Sequence, residues 1–286
     1  MTDSASPKRV ICPVAEAEAG YNLKAAFPDF PQVLARWQQA TAAMRAVLPA
    51  QDDIAYGDGA LQKLDFYPAT GPNRPLLVFI HGGYWQGGDK RDIGFIAEPY
   101  VRAGISVAVI NYSLAPAAMI EHMVDEVHAA LDALQQQADS LNIDTGRISL
   151  MGHSAGGHLA AQVAAERVAR GQPALQAVFA ISGLFDLVAL IPSSLNGALR
   201  LDTKRADALS PVLLGAPTGT RVHTIVGRDE TAQFHLQAQV IANCWPEQVV
   251  AHHDVPHTHH YTVLFALAQA DSPVCRAVLT ELLQTG

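Results

Sequence analysis

The sequence predicts an α/β fold built on a mostly parallel sheet, and two observations predict it. Short apolar runs alternate with longer helix-compatible stretches along most of the 286 residues. The composition, 49% hydrophobic against 16% charged, suits a sheet covered on both faces, whose strands read as continuous apolar runs.

The elements follow in order. Between Phe30 and Leu48, Val33, Leu34, Trp37, Met44, Val47 and Leu48 fall near helical spacing, with Pro28 and Pro31 at the start and Pro49 at the end. Leu61 to Tyr67 alternates and reads as an early, partly exposed strand. Leu76–Ile80, Ser106–Ile110, Ile148–Met151, Ala177–Ile181 and Val222–Val226 are short and rich in β-branched residues, the pattern of buried strands. Val249 to Val255 reads as the last strand. Between these runs, Glu121–Ala138, Ala155–Arg170 and Gln233–Ala242 are rich in alanine, leucine and glutamine and read as helices. Leu184 to Thr220 breaks the rhythm with Pro192, Pro211 and Pro217. The predicted organisation is an N-terminal extension over 1–60, packing on or near the active site, and a catalytic domain over 61–286. A small cap is inserted at about 184–220.

Bulk properties exclude several classes of function. A net charge of −8 without a basic stretch offers nothing to neutralise phosphates, so no nucleic-acid partner is expected. No apolar run approaches the roughly 18 residues of a membrane span. Met1 to Val14 lacks the apolar core of a signal peptide. Cys12, Cys244 and Cys275 are far apart and form no disulfide framework, which fits a reducing, cytoplasmic location. The expected partner is a small-molecule substrate, with a homodimer as the open oligomeric option.

The chemistry is carried by three motifs. Gly152-His153-Ser154-Ala155-Gly156 fits G-x-S-x-G, follows an apolar strand and precedes a helix. That context marks a nucleophile elbow, where a sharp strand-to-helix turn exposes the serine Oγ, and it implies the α/β-hydrolase fold. His81-Gly82-Gly83-Tyr84-Trp85 follows Leu76–Ile80. Its backbone can supply an oxyanion hole, with one N–H from Gly82 or Gly83 and another from Ala155. The acid should follow the strand Val222–Val226, where Asp229 is the choice and Glu230 the alternative. Asp186 comes one strand too early and reads as a turn or cap residue. His257, His259 and His260 lie beyond the last strand, and His260 is preferred as the base because a helix-compatible run follows it. The histidine-rich region matches no zinc spacing, so neither metal nor other cofactor is expected.

Taken in order, HGGYW (81–85), GHSAGGHL (152–159), SGLFDL (182–187), ALSP (208–211) and VGRDE (226–230) resemble the kynurenine formamidase (arylformamidase) branch of the α/β hydrolases, near the hormone-sensitive-lipase-type esterases. Tyr21-Asn22 and the YGDG at 56–59 extend the likeness. The resemblance implies a triad of Ser154, Asp229 and His260, with an oxyanion hole of Gly82, Gly83 and Ala155. Thr258-His259-His260-Tyr261 departs from the family, where Phe usually follows the histidine and Asn precedes it, which leaves His259 as the alternative in register. The activity implied is hydrolysis of an aryl formamide, such as N-formylkynurenine, to formate and an arylamine, with Tyr84 and Trp85 flanking the aromatic group. A broad-range carboxylesterase on short acyl esters is the alternative. A non-catalytic ligand-binding protein on the same scaffold is a third reading, in which a triad member would be missing.

Overall fold

The computed structural model describes residues 9–10 and 13–284. Cys12, most of the stretch read for a signal peptide and the first part of the N-terminal extension lie outside the described residues.

Eight strands form one sheet: β1 (Gln51–Ala55), β2 (Lys63–Tyr67), β3 (Arg74–Ile80), β4 (Ser106–Ile110), β5 (Ile143–His153), β6 (Ala177–Ile181), β7 (Arg221–Gly227) and β8 (Val249–Val255). Their spatial order is β1-β2-β4-β3-β5-β6-β7-β8, antiparallel from β1 to β4 and parallel from there on. This is the α/β-hydrolase fold. The β-branched runs became strands because each is clad on both faces. In β3, Leu76, Val78 and Ile80 enter one core while Leu77 and Phe79 enter the other, all fully buried. Each such side chain contributes about 1.5–3 kcal/mol relative to exposure.

The helices are α1 (Val14–Tyr21), α2 (Leu23–Ala26), α3 (Phe30–Arg45), α4 (Lys90–Ile93), α5 (Ala97–Arg102), α6 (Ile120–Gln136), α7 (Ala138–Leu141), α8 (Ala155–Ala169), α9 (Asn196–Leu199), α10 (Thr203–Ala208), α11 (Ala232–Cys244), α12 (Val263–Leu267) and α13 (Pro273–Leu283). Apolar residues of α6, α8 and α11 fill the first core, and those of α3, α5, α12 and α13 fill the second. Among the described residues, no helix is long and apolar enough to cross a membrane.

Three expectations shift. The strand at 61–67 is buried from Leu64 to Tyr67, because it lies between β1 and β4. Its outer neighbour β1, Gln-Asp-Asp-Ile-Ala, is too polar and exposed to stand out by pattern. Helix α3 ends at Arg45, so Val33, Trp37 and Met44 are buried while Val47 is exposed.

Polar ties hold the N-terminal segment to the segment between β6 and β7, among them Arg9 Nη1 on Asp207 at 2.8 Å. The carboxylate of Asp186, fully buried, accepts from Arg9 Nε and Nη2 at 2.9 Å each and from the Val10 N–H at 2.7 Å. Farther along, Glu18 accepts from the Ser194 N–H and hydroxyl at 2.8 and 2.9 Å. Asp186 is thus a buried charge whose cation comes from 177 residues away in sequence. Replacing Arg9 by Leu leaves that carboxylate only the N–H groups of Val10 and Val188 and no cation, and urea unfolding should show a loss of about 2–3 kcal/mol.

Candidate active site

Ser154 sits between β5 and α8 with φ 55° and ψ −116°, a left-handed conformation that a non-glycine residue holds only under tertiary constraint. The constraint is visible in its neighbours. Its N–H donates to the Ile181 carbonyl at 2.7 Å. A Cβ on Gly152 would lie 2.0 Å from the Gly156 carbonyl oxygen, and one on Gly156 would lie 2.1 Å from that of Ile80. Only glycines let the turn close this tightly. Ala155 is the first helical residue, so its N–H has no acceptor within the helix. Ser154 therefore stands at the positive end of α8.

The loop after β3 brings Gly82 against Ser154. A Cβ on Gly82 would meet the Ser154 Cβ at 3.0 Å, and both residues line one cavity with Gly83. The Gly83 carbonyl accepts N–H bonds from Gln86 and Gly87 at 2.9 and 3.1 Å, which turns the loop back on itself. Tyr84 and Trp85, both at positive φ, point different ways. Tyr84 lines the cavity, and its hydroxyl donates to the Tyr21 carbonyl at 2.7 Å. Burial raises its pKa well above the ordinary phenol value, so it stays a neutral donor. The expectation for Trp85 is corrected. Its side chain is fully buried outside the cavity lining, with its ring 5.1 Å from that of His158 at 82°. Burial pushes the His158 imidazole down to about 4, so this contact joins two neutral rings.

The choice of Asp229 is also corrected. Asp229 is exposed, and its N–H is bound to the Thr258 carbonyl at 2.9 Å. Glu230, the next residue, turns inward. Its Oε2 meets His260 Nδ1 at 2.7 Å, while Oε1 accepts from the Ser182 hydroxyl at 2.5 Å and the Gly227 N–H at 2.8 Å. The reason is the turn after β7, which the Glu230 N–H closes on the Gly227 carbonyl at 3.1 Å. That turn sends residue 229 outward and residue 230 toward the sheet. Three donors around one buried carboxyl are an arrangement that holds an anion. A carboxylate at Nδ1 fixes the imidazole with its proton there and leaves Nε2 with a lone pair, the state a general base requires.

His260 is 1% exposed and lines the same cavity as Ser154. His259 is turned away, stacked on Phe27 at 4.6 Å and 3.3 Å from Asp29. His257 is exposed at positive φ. On β8, His252 bonds Thr224 and His253 stacks on His223. Among the described residues, no group of three or more His, Cys, Asp or Glu side chains is placed to hold a metal ion.

The cavity measures about 570 Å³. Besides Ser154, His260 and the loop after β3, it is lined by residues outside the three chemical motifs. Tyr21, Asn22, Leu23 and Lys24 come from α1, α2 and the turn between them, Phe30, Leu34 and Trp37 from α3, and Ser193 to Leu195 from between β6 and β7. Phe30, Trp37 and Tyr261 form an aromatic wall, with Phe30 4.3 Å from Tyr261 and Trp37 6.1 Å from it. Sequence reasoning missed Ser182 and this wall. The helical pattern of α3 names Trp37 as buried, but burial against a core and burial against a cavity leave the same periodicity. Asp186, read as a turn or cap residue, also caps the short helical turn Leu187–Leu190 through the Val188 N–H at 3.2 Å.

Known proteins resemble this chain at the level of both sequence and fold. The BD-FAE family model matches residues 64–225. A kynurenine formamidase from Salmo salar is 28% identical over 239 residues, 79% of this chain and 80% of that protein. The crystal structure of a provisionally named thioesterase from Silicibacter sp. tm1040 is 30% identical, with a TM-score of 0.83, covering 93% of this chain and 99% of that one. A Pyrobaculum calidifontis esterase, 18% identical, shares the fold with a TM-score of 0.69 over 88% of this chain and 92% of its own.

The geometry separates two adjacent carboxylates by experiment. With p-nitrophenyl acetate as substrate, Glu230→Gln should lower kcat by about 10³- to 10⁴-fold, since an amide cannot hold the imidazole in the required state. Asp229→Asn should change it by about twofold or less, as for an exposed substitution. The reverse pattern would return the acid to Asp229.

Proposed function

We propose that this chain, which belongs to the BD-FAE family, is a serine hydrolase that cleaves an aryl formamide through a Ser154–His260–Glu230 triad. The observation that carries the proposal is the convergence of the strained Ser154 elbow and the Glu230-held imidazole on one cavity. His260 Nε2 takes the Ser154 proton as Oγ attacks the formyl carbon. The oxyanion receives N–H bonds from Ala155 and from Gly82 or Gly83, a contribution of about 2.7–4 kcal/mol per donor in comparable sites. Collapse of the tetrahedral adduct breaks the C–N bond, and His260 returns the proton to the departing arylamine. Water, deprotonated by His260, then releases formate and restores Ser154. No step calls for a cofactor.

The kynurenine formamidase likeness, spread over four-fifths of both chains, supports the formamide as substrate. The aromatic wall of Phe30, Trp37 and Tyr261 offers stacking to an aryl leaving group. The N-terminal extension and the cap at about 184–220 complete the cavity walls in this reading. A cytoplasmic location fits the free thiols of Cys244 and Cys275. A second reading, a carboxylesterase on short acyl esters, is favoured by one observation: a cavity of about 570 Å³ has room for an acyl chain that a formyl group leaves unused.

The two readings part on kcat/KM for N-formylkynurenine against p-nitrophenyl acetate and butyrate. The formamidase reading expects the formamide to be turned over at least as efficiently as either ester. A far lower value for the formamide would leave the esterase reading in its place. In either case Ser154→Ala should abolish turnover, and retained activity would refute the mechanism.

A further inference from the structure

The residue before the nucleophile does more than complete a motif. His153 ends β5, is 4% exposed and lines the cavity. Its Nε2 lies 2.7 Å from the His260 carbonyl oxygen. A carbonyl can only accept, so the proton of this bond is on His153 Nε2. Its ring packs on the His260 ring with centroids 4.8 Å apart and planes at 47°. On the other side, a Cβ on Gly82 would come within 2.9 Å of His153 Nδ1, so this nitrogen lies against the backbone of the loop after β3. The Trp37 indole closes the remaining side at 6.4 Å and 85°.

We infer that His153 is a positioning residue, which fixes the backbone of His260, and with it the imidazole, relative to the adjacent Ser154. The inference rests on the proposed acyl-transfer reading. The segment that carries His260 joins β8 to α12. Thr258 Oγ1 ties it to the Val255 carbonyl at 2.9 Å and the Val263 N–H to the His259 carbonyl at 3.0 Å, while the carbonyl of His260 itself is taken by His153. Glu230 fixes the imidazole itself, at Nδ1. His153 fixes the main chain of the same residue, through a side chain that belongs to the elbow itself. Nucleophile and base are therefore linked by one hydrogen bond and one peptide unit, rather than around the whole sheet. Burial, and next the proximity of His260, push the His153 pKa well below the ordinary histidine value. A neutral ring at this position adds no positive charge beside the imidazolium that His260 becomes in the reaction.

The test compares side chains that keep the donor with side chains that lose it. His153→Gln retains an N–H donor at similar reach, His153→Met keeps bulk without a donor, and His153→Asn has a donor that is too short to arrive. Each is purified, its melting temperature is recorded, and kcat and KM are measured on p-nitrophenyl acetate beside wild type and Ser154→Ala. Met and Asn should lower kcat about 10- to 100-fold with KM changed less than about threefold, the size of effect expected from misplacing a catalytic group. Gln should recover most of that loss. Should Met fail to fold, the Gln and Asn pair makes the same comparison. Equal kcat in Gln and Asn, or a Met variant as fast as wild type, would overturn the inference while leaving the triad intact. Retained activity in Ser154→Ala would instead refute the acyl-transfer reading and the positioning role with it.

Discussion

The buried carboxylate of Glu230 is the interaction on which the rest of the site depends. It receives the Gly227 N–H from its own turn, the Ser182 hydroxyl from the end of β6 and Nδ1 of His260 from the segment after β8. The end of β6, the turn after β7 and the segment after β8 thereby meet at one carboxyl group. A buried ion is costly unless its lone pairs are satisfied. This satisfaction is therefore a condition of the fold as well as of the proposed chemistry. Ser182, itself at positive φ, is held where its hydroxyl can reach.

The second constraint is backbone strain at Ser154. Its left-handed conformation persists because Gly152 and Gly156 let the elbow close on β3 and because the Ile181 carbonyl takes its N–H. The same closure sets Gly82 against Ser154 at the wall of the cavity. In the proposed mechanism this is the point where negative charge develops, and groups fixed there in advance need no reorganisation. The neutral rings of His81 and His153, both lowered in pKa by burial first, add no competing charge around it.

Much of this was legible in the residues. The parallel strands announce themselves because a strand covered on both faces must be apolar throughout, and the elbow because its glycines tolerate no side chain. The limits are equally physical. Whether Asp229 or Glu230 turns inward depends on a single hydrogen-bonded turn, and a one-residue ambiguity is below the resolution of any pattern. Trp85 follows the glycines in sequence, yet positive φ at both Tyr84 and Trp85 sends one ring to the cavity and the other to the core. β1 is invisible because an exposed, polar edge strand carries no hydrophobic signal. The aromatic wall is hidden for another reason, since a residue buried against a cavity and one buried against a core share the same period.

The decisive measurement for the proposed acyl-transfer site is a crystal structure of the protein inactivated by a p-nitrophenyl alkylphosphonate. Phosphorus should be bonded to Ser154 Oγ, with one non-bridging oxygen about 2.7–3.1 Å from the amide nitrogens of Ala155 and of Gly82 or Gly83. His260 should remain on Glu230. An adduct on any other residue, or a phosphonyl oxygen turned away from those amides, would contradict the proposed site.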